Sequence, residues 1–160
     1  MMNKNVKKKY IDFNKIRSEF PILEKEINNN KMVYLDSAAS AQKPKQVIET
    51  LNKAYLETYS NVHRGLHWLS EQSTSKYEDV RKKAANFLGT ADHNEIIFGS
   101  GATQLINLIA NSWGRKFLEL NDEIIITIAD HHANIVPWQL VAQQTGAKIK
   151  AVPVDDNGNF

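Results

Sequence analysis

The sequence has 160 residues, of which 42% are hydrophobic and 24% charged, a composition typical of one soluble globular domain. Its formal net charge of +2 is too small to indicate a nucleic-acid or anionic-membrane partner. No apolar stretch approaches the roughly 20 residues of a membrane span, and no apolar region follows the basic start to make a secretory signal. The absence of cysteine excludes disulfides and thiolate metal sites. These features predict a cytoplasmic protein.

The chain begins with a basic arm, predicted to be solvated and frayed. A short helix is predicted over residues 14–20, ending at Pro21 because proline disfavours helix in the residue before it. Three consecutive asparagines at 28–30 indicate a turn. We therefore predict a first region over residues 1–30, comprising the arm and the short helix, and a larger second region over residues 31–160.

Two long helices dominate the next part of the chain. Residues 32–35 are predicted to form a short strand before them. Apolar positions at helical spacing then predict helices over 45–59 and 70–88, the second with Gly89 as its left-handed C-terminal cap. A polar stretch containing two histidines joins them.

The remaining residues alternate between apolar strands and helices. In chain order, the sequence predicts a strand over 95–98, a helix over 102–113, a strand over 123–128, a helix over 132–145 and a strand over 147–154. Because these strands are apolar almost throughout, the order predicts a parallel sheet covered on both faces. The helix over 102–113 is apolar around most of its circumference, which predicts deep burial.

A glycine-containing turn precedes the helix over 102–113. Gly99 and Gly101 allow close backbone approach, the helix start offers free N–H groups, and Thr103 adds a hydroxyl. These features predict a phosphate cradle, although the spacing matches neither the Walker A loop nor the dinucleotide fingerprint. A simple tight turn capped by Ser100 or Thr103 explains these residues equally well.

A second turn carries His131 and His132 at the carboxyl end of a predicted strand. Ligands bind at such ends of parallel sheets, although a structural or solvent-exposed histidine pair is the commoner arrangement. A metal site joining this pair to His63 and His67 is another alternative, but Gly65 interrupts the first pair and we predict no metal. No G-x-S-x-G elbow supports a serine hydrolase.

Five stretches carry a further signal: YLDSAASAQKP (34–44), NVHRGLHWLS (61–70), VRKKAANFL (80–88), GATQLINLIANSWG (101–114) and DHHANIVPWQ (130–139). In this order and spacing they resemble the cysteine desulfurases of iron–sulfur cluster assembly. The resemblance is to the branch related to selenocysteine lyases, within the pyridoxal-phosphate (PLP)-dependent class V aminotransferase superfamily. It implies an α/β fold: an N-terminal helical arm plus the first half of a fold-type I large domain, truncated, with a mainly parallel sheet and helices on both faces.

The resemblance also implies roles for individual residues. Ala102 and Thr103 match the residues that hold the PLP phosphate, and His131 matches the histidine that stacks on the cofactor ring and assists proton transfer. The matches on the substrate side are Ala38, Ala39, His63 and Arg64. The family often has Thr-Thr-Glu where this chain has Ala102-Thr103-Gln104, so one hydroxyl and one carboxylate are missing here.

The resemblance implies that an intact relative removes sulfur from L-cysteine, giving L-alanine and an enzyme persulfide. It also implies a homodimer and a sulfur-acceptor protein as partners. The lysine that anchors PLP, the aspartate at its ring nitrogen and the nucleophilic cysteine lie beyond residue 160 in the family. We therefore expect this chain alone to bind PLP weakly or not at all and to be inactive. A selenocysteine lyase or another class V enzyme, a non-catalytic fragment of a split or decayed gene, and a phosphate-ligand binding module remain alternatives.

Overall fold

The computed structural model of the protein describes residues 11–160, which form two compact units divided between His93 and Asn94. The predicted basic arm, at residues 1–10, lies outside the described residues. The region boundary predicted at residue 30 stays a prediction. Among the described helices, none is long and apolar enough to cross a membrane.

The elements of the first unit are α1 (Phe13–Ser18), β1 (Glu26–Ile27), β2 (Asn30–Lys31), α2 (Lys45–Lys53) and α3 (Trp68–Leu88). Those of the second unit are α4 (Ala102–Ile109), α5 (Arg115–Phe117), β3 (Glu123–Thr127), α6 (Val136–Thr145) and β4 (Lys148–Val152). Wider π turns, Ala54–Thr58 and Ala110–Gly114, continue α2 and α4. Single 3-10 turns lie at Pro21–Glu24, His93–Glu95 and His132–Asn134.

The first short helix is fixed at its start and along its side. The Asp12 carboxylate accepts the backbone N–H groups of Asn14 and Lys15 at 3.0 and 3.1 Å, an N-cap that begins α1. The Arg17 guanidinium donates to the carbonyls of Leu23 and Met32 at 2.6 and 2.7 Å. The half-buried Arg17 therefore connects α1 to the chain segments before and after the β1–β2 hairpin.

The hairpin turn lies at the predicted asparagines. β1 and β2 pair antiparallel, with Ile27 opposite Asn30. Asn28 and Asn29 both have positive φ, 52° and 61°, as a two-residue type I′ turn requires. The strand predicted at 32–35 is wrong, because these residues join neither sheet of the described chain and Leu35 is 92% exposed. Apolar character alone does not make a strand where no neighbouring strand covers it.

α3 has defined caps at both ends. The His67 Nδ1 accepts the N–H of Ser70 at 3.3 Å and so begins the helix. Gly89 ends it with φ +80°, the left-handed conformation predicted for this glycine. The Ser70 side chain is fully buried and its hydroxyl donates to the Asn61 carbonyl at 2.9 Å. This bond fixes the polar stretch before α3 to the first turn of the helix.

The second unit contains the parallel β-α-β arrangement that the sequence predicts. β3 and β4 pair in parallel, from Glu123 opposite Lys148 to Thr127 opposite Val152, and α6 connects them. The core residues of this unit include Ala110, Ile126, Val141 and Ala142. Gly114 lets the π turn approach α6 closely, since a Cβ there would lie 3.3 Å from the Val141 side chain.

Two predictions for the second unit are wrong. Residues 95–98 do not form a strand: the chain leaves the His93–Glu95 turn and joins neither sheet of the described residues. The helix over 102–113 is not deeply buried, since Leu108 and Ile109 are 48% and 50% exposed. α4 packs against the 3-10 turn His132–Asn134, and its continuation Ala110–Gly114 packs against α6, so the apolar residues on the other sides remain in contact with solvent.

Candidate functional site

The start of α4 is an uncapped helix terminus. Gly101 precedes it in an extended conformation (φ 167°, ψ 167°), and no side chain caps the helix. The first intrahelical bond runs from the Leu105 N–H to the Gly101 carbonyl at 3.2 Å. The N–H groups of Ala102, Thr103 and Gln104 consequently have no carbonyl acceptor within the helix. Ala102 and Thr103 are also exposed. Such donors, at the positive end of the helix dipole, suit an anion.

The turn before α4 is held from within the helix. The Gln104 Oε1 accepts the Ser100 N–H at 2.8 Å and the Ser100 hydroxyl at 3.0 Å. Gly99 allows the close approach, because a Cβ there would lie 2.6 Å from the Leu105 side chain. Neither Ser100 nor Thr103 caps the helix, contrary to the simple-turn alternative. Gln104 keeps the acceptor oxygen that a glutamate would supply and omits its negative charge.

The turn after β3 is built around Asp130. Its carboxylate accepts the Thr127 N–H at 2.8 Å and faces the Asn134 amide at 3.4 Å. The Trp138 indole N–H donates to the Asn134 side-chain oxygen at 3.1 Å. The backbone bond from Thr127 is the main cause that lowers the pKa of Asp130 below its ordinary value. The ionised carboxylate therefore fixes the turn that carries the predicted histidine.

The His131 ring has a defined orientation in this turn. Its Nδ1 accepts the Ala133 N–H at 3.1 Å, so in the neutral ring the proton is on Nε2. The His131 residue is exposed, and its ring meets the His132 ring edge-on at 6.3 Å. In the neutral ring, Nε2–H of this exposed residue is thus the donor.

The two turns are neighbours in the second unit. α4 packs against the 3-10 turn His132–Asn134, which in turn packs against α6. The predicted phosphate residues, Ala102 and Thr103, lie at the start of α4, and His131 immediately precedes the 3-10 turn. α4 and the 3-10 turn after His131 are therefore neighbours, and the convergence of Ala102 and Thr103 with His131 on one ligand stays a prediction.

The predicted substrate-side residues belong to the first unit. Ala38 and Ala39 are exposed in a short turn, in which the Ala39 N–H donates to the Asp36 carbonyl at 3.2 Å. The Tyr34 hydroxyl lies 3.1 Å from the Asp36 carbonyl oxygen and 2.5 Å from that of Ser40, and it donates its one proton to the nearer Ser40 oxygen. A tyrosine at the entrance of the loop thereby sets its path.

His63 and Arg64 have backbones in the left-handed region, with φ of 62° and 56°. The His63 N–H donates to the Thr74 hydroxyl at 2.8 Å, and its Nε2 lies 2.9 Å from the Glu78 carboxylate. The Arg81 Nε donates to the other oxygen of Glu78 at 3.0 Å. The hydrogen bond from His63, followed by the charge of Arg81, lowers the pKa of Glu78.

Within residues 11–160, no three histidine or carboxylate side chains are arranged to hold a metal ion. The two histidines with metal-type spacing have other partners, since His67 caps α3 and His63 binds Glu78. Sequence reasoning missed Glu78, Gln104 and Asp130 as supports of the predicted site residues. Only Asp130 gave a signal, as an aspartate at the end of a strand four residues before an asparagine.

Comparison with known proteins gives one consistent family. The model of the family described as "Aminotransferase class-V" matches residues 33–160. The probable cysteine desulfurase 1 of Mycobacterium leprae is 47% identical over 149 residues, covering 93% of this chain and 24% of that protein.

Solved structures agree with this match. The cysteine desulfurase CsdA from Escherichia coli matches with a TM-score of 0.74 at 39% identity, over 92% of this chain and 36% of that one. The apo cysteine desulfurase from Thermococcus onnurineus gives 0.82 at 34% identity, over 95% and 36%. The chain therefore spans about a quarter to a third of the length of the proteins it matches, and the fold-type I class predicted from the sequence is confirmed.

Proposed function

Because this chain belongs to the aminotransferase class-V family, we propose that it supplies PLP-binding elements of a cysteine desulfurase. That reaction removes sulfur from L-cysteine and leaves L-alanine and an enzyme persulfide. The observation that carries the proposal is the packing of α4, whose start has no side-chain cap, against the 3-10 turn that follows His131. The similarity to cysteine desulfurases at 47% identity supports the choice of substrate.

The donors of the second unit fit a phosphorylated aromatic cofactor. The N–H groups of Ala102 and Thr103 and the Thr103 hydroxyl would bind the phosphate. The His131 ring, in the neighbouring turn, would stack on the aromatic ring. Gln104 fits because it holds the Ser100 turn without placing a carboxylate beside the phosphate.

When bound, PLP supplies an electron sink for charge that develops at the α-carbon of an amino acid. The residues of this chain orient it and handle protons. Ala102 and Thr103 would fix the phosphate end, and the Nε2–H of His131 would donate or recover a proton. Asp130 holds the turn that aims this ring.

The first unit would supply the substrate side. We assign the exposed loop at Ala38 and Ala39, and the side chains of His63 and Arg64, to contacts with L-cysteine. The proposal includes a homodimer, a sulfur-acceptor protein and a cytoplasmic location, all properties of the family the sequence resembles.

The composition supports a second candidate function, in which the chain binds a ligand but catalyses no reaction by itself. The 160 residues contain no cysteine, so a persulfide has no carrier among them. Under this reading, the chain binds the cofactor phosphate but completes no turnover.

An NMR titration of this chain tests cofactor binding. We expect PLP to shift the amide signals of Ala102 and Thr103 and the ring signals of His131. Pyridoxal, which lacks the phosphate, should leave the two amides unshifted. Equal shifts with both compounds, or shifts elsewhere only, would contradict a phosphate site at α4. T103A weakens the response and N157A, in the exposed C-terminal turn, is the matched control.

A chimaera tests the reaction itself. This chain replaces the matching segment of the E. coli desulfurase CsdA, and sulfide release from L-cysteine is measured. We expect release that falls on H131A and T103A but not on N157A. Selenide release from selenocysteine without sulfide release from cysteine would instead favour a selenocysteine lyase. A chimaera that folds and binds PLP but acts on neither amino acid would contradict the proposal.

A further inference from the structure

One stripe of α3 converges on the His63–Arg64 bend. Its residues are Thr74, Tyr77, Glu78 and Arg81, spaced three and four apart, so they share one face of the helix. Thr74 accepts the His63 N–H, and the Tyr77 ring meets the His63 ring edge-on at 5.9 Å.

The same stripe is cross-linked within itself. Glu78 uses one carboxylate oxygen for the His63 ring and the other for the Arg81 Nε. The Arg81 guanidinium also lies over the Tyr77 ring, 5.2 Å from its centroid. Glu78 and Arg81 side chains are only 28% and 18% exposed, whereas the His63 side chain is 52% exposed. The support is thus half-buried and the supported ring faces solvent.

The bend itself is conformationally unfavourable for these residues. Non-glycine residues in the left-handed region carry strain, and such strain persists only where the surroundings over-determine the conformation. Here the backbone bond from His63 to Thr74 and the ring bond to Glu78 fix the same residue at two points. α3 therefore sets both the backbone and the ring of His63.

We infer that Glu78 is a positioning residue that holds the His63 ring through Nε2–H and leaves Nδ1 as its proton-accepting atom. This inference rests on the proposed function, in which His63 faces the substrate. In the neutral ring a carboxylate partner requires the proton on Nε2, so Nδ1 has a free lone pair. The group that this Nδ1 would accept a proton from is the ammonium or the thiol of an α-amino thiol substrate.

The assignment gives the two predicted histidines opposite polarity. His131 accepts a backbone N–H at Nδ1 and offers Nε2–H, whereas His63 donates at Nε2 and offers Nδ1. The His131 ring is held by its own turn, whereas the His63 ring is held by α3. His131 is then oriented to donate a proton and His63 to accept one.

Proton and nitrogen NMR of this chain tests the inference without any cofactor. We expect a downfield Nε2–H signal of His63, protected from exchange with water, in the wild type. E78A should abolish it, and E78Q, whose amide oxygen is a weaker acceptor, should move it upfield while preserving it. D79N changes the adjacent exposed residue of α3 and should leave it unaltered.

Three outcomes would overturn the inference: no protected signal in the wild type, a signal that survives E78A, or loss in D79N as complete as in E78A. If E78A prevents folding, E78Q decides, because a native amide spectrum with an unchanged His63 signal contradicts the role. The readout lies at His63 and needs no PLP. Its failure is therefore distinct from a failure of the phosphate titration at Ala102 and Thr103.

Discussion

A side chain at Gly65 would have almost no room. An added Cβ would lie 2.1 Å from the Ser70 hydroxyl and 2.3 Å from its Cβ. Ser70 is fully buried and hydrogen-bonded to the Asn61 carbonyl, so it cannot swing aside without losing that bond. Glycine at 65 therefore permits the chain to pass over the first turn of α3.

Gly65→Ala should consequently destabilise the protein by about 1–3 kcal/mol, the usual range for overpacking a closed site. Urea unfolding measures the change. The control is Gly101→Ala, where a Cβ would meet no atom within 4 Å and φ is extended. Equal effects of the two substitutions would mean that the contact with Ser70 does not limit this position.

Asp130 makes stability depend on acid pH. Its pKa in the folded protein is below the ordinary value of 3.8, mainly because it accepts the Thr127 N–H. A lowered folded pKa gives a contribution that is present above the unfolded pKa and lost as pH falls through the folded one. We expect the urea midpoint of unfolding to fall as the pH is lowered below about 4, and to fall more steeply for the wild type than for D130N. D156N, at an exposed position of the C-terminal turn, should keep the wild-type slope.

Among the helices, α3 and α6 end in the same way but in different surroundings. Gly89 and Gly146 have φ of +80° and +81°. A Cβ at Gly89 would meet nothing within 4 Å, whereas one at Gly146 would lie 2.6 Å from the Leu120 side chain. The two caps therefore separate the conformational penalty from the steric one.

Gly89→Ala should lower the free energy of unfolding by about 1 kcal/mol, the penalty of a left-handed non-glycine residue. Gly146→Ala should lower it further, because Leu120 must also move. Urea denaturation of both variants gives the comparison. A larger effect at Gly89 than at Gly146 would contradict the steric argument.

The sequence predicts those elements whose signals are local. The cap at Gly89, the turn at the three asparagines and the parallel β3–β4 pair with its connecting helix all follow from spacing and residue type. The predicted strands at 32–35 and 95–98 fail because a strand needs a neighbour, which an apolar run does not guarantee.

The same limit applies to the candidate site. Thr103 and His131 could be named from the sequence, through a turn and a family motif. Asp130 gave a signal at the end of its strand, but two other supports could not be named, because Gln104 contacts Ser100 and Glu78 contacts His63 only in the folded chain. Neither hydrogen bond recurs with the period of a helix or a strand, so the sequence alone gives no pattern that indicates it.

For the protein as a whole, many large apolar side chains are exposed, among them Leu66 at 99%, Phe87 at 90% and Leu56 at 85%. The chain also spans only 24% of one curated relative and 36% of a solved one. Exposed apolar side chains in such number mark surface to which another protein surface binds.

We expect this chain alone to release no sulfide from L-cysteine and to show no visible absorbance of a lysine-bound cofactor. A helix terminus and a stacking ring contribute on the order of 1 kcal/mol each, which corresponds to binding no tighter than about the millimolar range. Purified chain, PLP and L-cysteine, followed by sulfide assay and visible spectrum, provide the measurement. Turnover comparable to that of an intact desulfurase would contradict the expectation.

The left-handed backbone of Arg64 lowers folding stability, whereas its guanidinium is the group proposed to contact the substrate. Glycine occupies this backbone region without the penalty of about 1–2 kcal/mol that other residues incur, so Arg64→Gly should relax the bend while deleting the guanidinium. If position 64 is randomised and the variants are selected for thermal stability alone, glycine should therefore become the most frequent residue there. In the chimaera with CsdA, a library selected for sulfide release should retain arginine if the proposed substrate contact holds. The difference between the two pools would then measure how much stability is lost by keeping that side chain.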